Sequence, residues 1–263
     1  MAAHEWSGGR RLFYFSMGRI VMRNYELETK DRVEFITGLI ESLGAAGIVY
    51  GKSGGKDSAL VGILCKLACE NTVGLIMPCG SKRNYGMDRE DAERIAEQYG
   101  ISTRLLDLSD TRSEMIRAVG DKTSLGDSAI ANIAPRLRMT ALYAVAASEN
   151  RLVAGTGNRS EGYMGYFTKW GDGAYDFNPI ADLTVTEIYA FLSYLNAPGF
   201  IISKAPSAGL FDGQTDEGEM GITYNSIDNF LLHGTASERD RAVIEKYHKS
   251  SGHKRKLPLT FGG

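Results

Sequence analysis

The sequence has 263 residues, of which 43% are hydrophobic, and its formal charge at neutral pH is −2. A chain of this length can bury one full α/β core. The near-neutral charge excludes a general attraction to nucleic acid or anionic membranes, so any polyanionic ligand must be held by a local site. No run of about 18 apolar residues predicts a membrane span, and no secretory signal is recognisable. We therefore expect a cytoplasmic protein with neither nucleic-acid nor membrane partners.

The chain is expected to form one domain over residues 21–263, preceded by an irregular segment over 1–20 that could be a tag or an upstream start. Its three cysteines are an odd number in a chain without secretory features, which argues against disulfides. Cys65 and Cys69 are four residues apart on an apolar helical pattern, but no second Cys or His pair completes a zinc site. We interpret these cysteines as packing residues.

Predicted strands and helices alternate along the chain. In order, the pattern predicts a helix over 31–42, a strand over 47–50, a helix over 58–70, a strand over 72–77, a helix over 88–99, a strand over 102–106, a helix over 130–148, a strand over 152–154, and helices over 184–195, 224–232 and 237–249. Such alternation indicates an α/β, Rossmann-like fold with a doubly wound, mostly parallel sheet and helices on both faces.

Two polar segments, 51–57 and 155–176, directly follow predicted strands. Ligands of doubly wound sheets bind at the carboxyl ends of the strands, so we expect both segments to face one crevice. A glycine-rich acidic segment over 207–221 has few apolar anchors. This composition is typical of a mobile loop, and a lid over the crevice is the corresponding hypothesis.

Residues 51–58 read GKSGGKDS and lie between a predicted strand and a predicted helix. In this position backbone N–H groups and the helix dipole can hold a phosphate group. Glycines let the backbone approach closely, while hydroxyl groups and a lysine supply further donors. The candidate ATP-binding residues in this loop are Gly51, Ser53, Gly54, Gly55, Lys56, Asp57 and Ser58.

The loop is not a Walker P-loop, which requires glycine, four residues, then Gly-Lys followed by Ser or Thr. Tyr50 stands at the first of these positions and Asp57 at the last. A carboxylate beside bound phosphate is repulsive unless a divalent cation lies between them, so Asp57 predicts Mg²⁺ bridging to phosphate oxygens. The alternative is an ordinary glycine turn between a strand and a helix.

The segment SGGKDS resembles the Ser-Gly-Gly-x-Asp-Ser signature of the N-type ATP pyrophosphatases, which transfer AMP and release pyrophosphate. This signature does not separate the members of that superfamily. Residues 155–161 (GTGNRSE), 165–173 (GYFTKWGDG) and 176–179 (DFNP) are similar to the long loop of ammonia-dependent NAD synthetases. With interruptions, the resemblance extends over residues 47–254.

The resemblance implies a fold of the adenine nucleotide alpha-hydrolase type. It also implies amidation of deamido-NAD by ammonia, driven by ATP and passing through an NAD-adenylate, with NAD, AMP and pyrophosphate as products. The expected cofactor is Mg²⁺. Family members of this type are homodimers that bind the dinucleotide at the subunit interface, so the same is expected here.

Carried over by position, Glu161 corresponds to the family's second magnesium carboxylate, and Asp57 and Glu161 together become the candidate catalytic and metal-binding pair. Two carboxylates plus phosphate oxygens form the hard-oxygen environment that suits Mg²⁺. Thr156 and Ser207 correspond to residues that contact ATP. The alternatives are a solvated surface glutamate at position 161 and a turn-capping hydroxyl at position 156.

Arg136, Lys169 and Asp176 correspond to residues that contact the dinucleotide, and His253 with Lys254 resembles the family's terminal His-Lys pair. Lysine can hold a carboxylate or phosphate, and aspartate can accept hydrogen bonds from ribose or amide groups. Each of these residues could equally be a surface charge. The basic C-terminal run could likewise be a solvated tail or a weak nucleic-acid patch.

The sequence departs from the family at Val185, where the family commonly has a lysine that meets the ATP phosphates. Either Lys52, Lys56 or Lys204 compensates for this lost charge, or activity is reduced. Two alternatives therefore stay open: another ligase of the N-type superfamily, or a nucleotide-binding module without turnover. No Ser-His-Asp, Cys-His or glutaminase-like cysteine arrangement is recognisable, so free ammonia is the expected nitrogen donor, although a separate glutaminase subunit is possible.

Overall fold

The computed structural model describes residues 23–80, 86–204, 215–258 and 260–261. Its strands are β1 (Gly47–Gly51), β2 (Thr72–Ile76), β3 (Ser102–Leu105) and β4 (Arg151–Ala154). Its helices are α1 (Tyr25–Leu43), α2 (Lys56–Ala68), α3 (Met87–Tyr99), α4 (Ser109–Gly120), α5 (Asp127–Ala131), α6 (Ile133–Glu149), α7 (Arg159–Met164), α8 (Val185–Tyr194), α9 (Gly199–Ile202), α10 (Asp216–Met220), α11 (Tyr224–His233) and α12 (Glu238–Ser250), followed by a 3₁₀ turn over Gly252–Arg255. None of the helices in these ranges has the length and apolarity that crossing a membrane requires.

The four strands form one parallel sheet in the order β3-β2-β1-β4. Tyr50 of β1 pairs with Gly74 of β2 on one side and Ala154 of β4 on the other. The winding therefore runs outward from β1 to β3 and then reverses to β4. This reversal opens a crevice at the carboxyl ends of β1 and β4, where open α/β sheets bind ligands.

Side chains of the central strand alternate between two buried layers, as the strand period of two requires. Ile48 and Tyr50 pack in a cluster with residues of α1, α2, α3 and α8. Val49 packs on the opposite face, against α6. Both faces of the sheet are thus covered by helices, which confirms the predicted doubly wound α/β fold.

A third apolar cluster lies beside the sheet, where α7, the start of α8, α10, α11 and α12 meet. Its buried members are Met164, Val185, Met220, Ile222, Tyr224, Ile227 and Ile244. Val185 is only 2% exposed. The residue at the family's usual lysine position is therefore a core residue in this chain.

Several features differ from the sequence predictions, including the short helices α7 and α9, which were not predicted. The helix predicted over 130–148 is divided at Asn132 into α5 and α6, and the Asn132 side chain donates to the Ser128 carbonyl at 2.7 Å. Helix α4 was not predicted, and none of its residues is buried. Helix α10 occupies part of the predicted loop, since the Thr215 hydroxyl caps its first turn.

Two further predictions fall partly or wholly outside the described residues. The N-terminal segment 1–20 lies outside them, as do residues 207–214 of the proposed lid. The cysteines carry no disulfide, and Cys65 and Cys79 are buried. Their interpretation as packing residues agrees with this placement.

Candidate active site

A crevice of about 750 Å³ opens at the carboxyl ends of β1 and β4. This volume lies within the range of small-molecule sites. Most of the predicted ATP and metal residues line it, together with one predicted substrate residue: Gly51, Ser53, Gly55, Lys56, Asp57, Ser58, Thr156, Glu161 and Lys254. The strand ends therefore bring the two polar segments of the sequence to one place.

The phosphate loop is shaped by its glycines and its two serine hydroxyls. Gly54 has φ +75°, and a Cβ there would lie 2.1 Å from the backbone oxygen of Asp88, so only glycine fits without a shift of the backbone. Gly55 is the N-cap of α2. The hydroxyls of Ser53 and Ser58 are 3.1 Å apart, and the Ser58 hydroxyl donates to the Gly55 carbonyl. The loop thus presents the start of α2 to the crevice.

The two candidate metal carboxylates come from the first turns of α2 and α7 and are joined by Asn158. The Asn158 side-chain amide donates to Asp57 Oδ1 at 3.0 Å. Its side-chain oxygen accepts the Glu161 backbone N–H at 2.9 Å, and its own backbone N–H donates to Glu161 Oε2 at 3.3 Å. Asn158 therefore caps α7 and fixes both carboxylates at once.

Burial and mutual repulsion disfavour negative charge on this pair of carboxylates. Burial raises the pKa of Glu161 above its ordinary value, repulsion from Asp57 adds to the rise, and Lys56 opposes it. Within the described ranges, no group of three or more His, Cys, Asp and Glu side chains is arranged to hold a metal ion. Carboxylate oxygens suit Mg²⁺, which would complete its ligand set with water and phosphate oxygens here.

Lys56 is the cation closest to this pair in the described structure. Its Nζ lies 2.7 Å from Asp57 Oδ2, and its side chain is 5% exposed. The ammonium also faces the rings of Tyr189 and Tyr224, at 6.0 and 5.7 Å from their centroids. Burial acts to lower the pKa of Lys56, but Asp57 and then Glu161 raise it above its ordinary value. Lys56 therefore stays charged.

The other two lysines considered as substitutes for the lost charge at position 185 have different partners. Lys52 is buried, its Nζ donates to the Tyr50 hydroxyl at 3.1 Å, and burial lowers its pKa to about 8. Lys204 Nζ lies 2.9 Å from Asp88 and 2.6 Å from Asp91, and it donates to the Gly54 carbonyl. Lys204 thus ties α3 to the phosphate loop.

Four of the predicted substrate residues meet at the edge of the crevice. Arg136 donates to the Lys169 carbonyl at 3.3 Å, and Lys169 Nζ donates to the His253 carbonyl at 2.8 Å. Lys254 Nζ donates to the Gly165 and Phe167 carbonyls, at 2.9 and 2.7 Å. Only Lys254 lines the crevice itself, so we call Arg136, Lys169 and His253 the rim.

Asp176 does not join this group. Asp176 Oδ2 accepts the Val153 backbone N–H at 2.8 Å, and Oδ1 accepts the Tyr143 hydroxyl at 3.1 Å. Burial, with the neighbouring Asp176, raises the pKa of Tyr143 to about 12. Asp176 does not line the crevice, and these bonds give it a structural role in holding β4. Ser207 lies outside the described residues.

Sequence reasoning missed several polar residues of the site, of which three illustrate why. Asn158 could have been found, because Asn followed three residues later by Glu is a capping-box pattern. Asp172 lines the crevice, its Oδ1 accepts the Thr168 N–H at 2.9 Å, and the surrounding protein raises its pKa. Arg138 also lines the crevice, and its Nε donates to the Met77 carbonyl. No local pattern distinguishes these last two from surface charges.

Comparisons with known proteins agree with this geometry. An NH(3)-dependent NAD(+) synthetase from Carboxydothermus hydrogenoformans is 44% identical over 238 residues, covering 89% of this chain and 97% of the relative. NMN synthetase from Francisella tularensis has a similar structure, with a TM-score of 0.86 at 36% identity, covering 92% of this chain and 100% of that one.

The NH3-dependent NAD synthetase of Campylobacter jejuni gives a TM-score of 0.74 at 31% identity, covering 91% of this chain and 100% of that one. A sequence model described as NAD synthase matches residues 28–258. This match covers both strand-end loops, the rim and the third apolar cluster. On these grounds the chain belongs to the NAD synthase family.

Proposed function

We propose that this chain uses ATP to amidate deamido-NAD with ammonia, forming NAD, AMP and pyrophosphate through an NAD-adenylate intermediate. The observation that carries the proposal is the junction at Asn158, which joins Asp57 of the SGGKDS loop to Glu161 in the first turn of α7. It brings a phosphate-binding loop and a paired carboxylate site to one crevice. The NH3-dependent NAD(+) synthetases among its relatives support the same assignment.

In the first step, an oxygen of the nicotinate carboxylate attacks the α-phosphorus of ATP. A carboxylate–phosphorus bond forms, and the bond from the α-phosphorus to the departing pyrophosphate breaks. Both reactants are anions, so the site must neutralise charge before it can align them. This charge is neutralised by the loop amides, by the hydroxyls of Ser53 and Ser58, and by the Lys56 ammonium. Asp57 and Glu161 would hold Mg²⁺, which shields the triphosphate.

In the second step, the nitrogen of ammonia attacks the activated carbonyl carbon. The C–N bond forms, the bond to AMP breaks, and the nitrogen loses a proton. Asp172 is the candidate proton acceptor, because it is a crevice carboxylate outside the metal pair and burial raises its pKa above the ordinary value. Thr156 is proposed to contact ATP, and Lys254 the substrate carboxylate or phosphate, from the crevice wall.

The rim is proposed to bind the part of the dinucleotide that extends beyond the crevice. We expect a second copy of the chain to complete this binding site in a homodimer. Strand β3 is exposed along its whole length, and α4 has no buried residue. Leu105, Leu106 and Met115, from this edge of the molecule, are large exposed hydrophobic residues. A homodimer would cover this apolar surface. Gel filtration with light scattering tests it, and a monomer at micromolar concentration would contradict it.

We also propose that residues 21–263 act as one domain. Within the described ranges, no long linker separates the three apolar clusters. The family match extends over most of this length. Location in the cytoplasm stays a prediction. Limited proteolysis tests the domain assignment, since a single domain should yield one resistant core rather than two.

A second candidate substrate is nicotinate mononucleotide, which NMN synthetase activity would amidate. The observation that favours it is the similarity to the Francisella tularensis NMN synthetase structure, whose TM-score exceeds that of the Campylobacter jejuni enzyme. Both substrates present the same nicotinate carboxylate and differ by an adenylate group. The reaction steps at Asp57 and Glu161 would be unchanged.

One assay separates these possibilities. The purified chain is incubated with ATP, Mg²⁺ and ammonium chloride, plus either deamido-NAD or nicotinate mononucleotide, and the amide product, AMP and pyrophosphate are quantified together. The proposal expects equal amounts of all three with deamido-NAD, and a lower kcat/KM with the mononucleotide. The reverse order of kcat/KM selects the second candidate. Absence of amide from both substrates excludes both, and efficient use of glutamine in place of ammonium contradicts ammonia dependence.

A further inference from the structure

Both carboxylate oxygens of Asp57 are engaged by the protein itself. Oδ2 is bound by the ammonium of Lys56 at 2.7 Å, and Oδ1 by the side-chain amide of Asn158 at 3.0 Å. The side chain of Asp57 is 17% exposed and that of Lys56 only 5%. A divalent cation that binds Asp57 must therefore compete with a positive charge already bound to the same carboxylate.

The position of Lys56 is unfavourable except for its acidic neighbours. It is the first residue of α2, where the helix dipole is positive and repels a cation. Its burial adds a desolvation cost that an ion pair must offset. Asp57 and Glu161 supply the attraction, and the rings of Tyr189 and Tyr224 add two weaker contacts. The ammonium is thus held in place mainly by the two candidate metal ligands.

We propose that Lys56 is an internal counter-cation, which neutralises the metal carboxylates while the crevice is empty and turns onto the ATP phosphates when a metal–nucleotide complex enters. This inference rests on the proposed metal role of Asp57 and Glu161. The exchange lets the carboxylates release one positive charge as they gain a divalent ion. The released ammonium of Lys56 then binds the phosphates of ATP.

The same exchange would supply the phosphate-facing charge that Val185 lacks. Lys56 faces the ring of Tyr189, which is on the same helix as Val185, and the ring of Tyr224, which packs in the same cluster. The phosphate-facing charge that a lysine at position 185 would provide thus comes from the phosphate loop. Lys52 and Lys204 also line the crevice, but their amines bind other groups than these two rings: Lys52 binds the Tyr50 hydroxyl, and Lys204 binds Asp88, Asp91 and the Gly54 carbonyl.

The proposal predicts that removing the Lys56 charge changes the affinities for two ligands in opposite directions. Lys56→Gln should bind free Mn²⁺ about tenfold more tightly than the wild type, because the competing ammonium is gone. It should bind a non-hydrolysable ATP analogue, measured without metal, about tenfold more weakly, because the phosphates lose a positive charge. Simple damage to the site would weaken both.

The experiment uses the full chain and no turnover. Free Mn²⁺ binding is measured by electron paramagnetic resonance, and analogue binding in the presence of a chelator by calorimetry. Lys56→Arg keeps the charge and should keep the weak Mn²⁺ binding of the wild type. Lys66→Gln is the matched control, because Lys66 lies in the last turn of the same helix and pairs with Glu70 at the surface. It should change neither affinity.

Unchanged or weaker Mn²⁺ binding by Lys56→Gln overturns the proposal. If Lys56→Gln does not fold, Lys56→Met is used in its place. A wild type that takes up Mn²⁺ as tightly without the analogue as with it also overturns the proposal, with no variant needed. Asp57→Asn separates this outcome from failure of the metal site. If that variant retains full Mn²⁺ binding with the analogue present, the assignment of Asp57 as a metal ligand is itself wrong.

Discussion

The phosphate loop and the rim are assembled in different ways. The loop comes from eight consecutive residues, 51–58, whose geometry follows from one strand, one turn and the first turn of one helix. The rim joins three distant segments through side chains that donate to backbone carbonyls, from Arg136 to Lys169 and from Lys169 to His253. A local pattern can specify the first kind of site, whereas the second depends on tertiary packing.

The strongest test of the loop is its metal carboxylate. Asp57→Ala should lower kcat/KM about 10³-fold, because the triphosphate loses the charge that aligns it for attack. The circular dichroism spectrum should be unchanged, since Asp57 is not part of a buried apolar cluster. A steady-state assay with all substrates measures the loss. A rate within threefold of the wild type would show that the loop does not carry the chemistry.

The next test concerns the shape of the loop. Gly54→Ala should raise the KM for ATP about 10²-fold and destabilise the fold by about 1–3 kcal/mol, because it combines a positive φ with a collision against Asp88. Gly44→Ala is the matched control: Gly44 has φ +62° but open space around it. It should cost about 1 kcal/mol and leave the KM for ATP unchanged. Equal effects of both variants on the KM would remove the argument from loop geometry.

A third test asks whether Lys52, inside the loop, is structural. Its pKa of about 8 lies below the 10.5 of a free lysine, so the unfolded chain binds more protons between these pH values and stability rises with pH through this window. Lys52→Met should be more stable at pH 7, by at most about 3 kcal/mol at 1.4 kcal/mol per pKa unit. Loss of the bond to the Tyr50 hydroxyl reduces this gain.

Urea denaturation between pH 7 and 10.5 measures the effect of Lys52→Met. The stability difference between the variant and the wild type should shrink steadily from about pH 8 upward. A difference that stays constant over this range would mean that Lys52 is not the titrating group.

The smallest expected effect belongs to the rim. Lys169→Met should raise the KM for deamido-NAD about tenfold and leave the KM for ATP unchanged, since Lys169 lies outside the crevice. Asp176→Asn provides the comparison: its oxygens bind Val153 and Tyr143, so it should lower the melting temperature and change the KM little. A large KM effect at Asp176 would instead support its predicted substrate contact.

The strands and the phosphate loop were predictable because their signals are local. Apolar runs bounded by Gly or Pro predicted β1 and β2, and the SGGKDS pattern predicted the loop between β1 and α2. Helix α4 was missed, and it is a helix without a fully buried residue. The break at Asn132 was missed because it depends partly on Thr168, whose hydroxyl donates to Asn132 Oδ1 at 2.5 Å from a distant segment.

Among the site residues, the SGGKDS motif predicted placement in the crevice, whereas the other family-like segments predicted it for some residues and not for others. Asp176 and Lys254 both came from family-like segments. Lys254 lines the crevice, whereas Asp176 binds the backbone of β4. At Val185 the sequence revealed that a charge is missing. Only the structure showed that the Lys56 ammonium faces the rings of Tyr189 and Tyr224, which lie near Val185.

Asn158 both caps the six-residue helix α7 and binds the two candidate metal carboxylates, so the proposed activity depends on an intact α7. Its amide group begins α7 and also sets the spacing of the acidic pair, so fraying of that first turn would separate the two carboxylates while the sheet stays intact. Warming should therefore extinguish turnover at a lower temperature than it melts the sheet. Bound metal and nucleotide, by clamping both acids, should bring the two temperatures together.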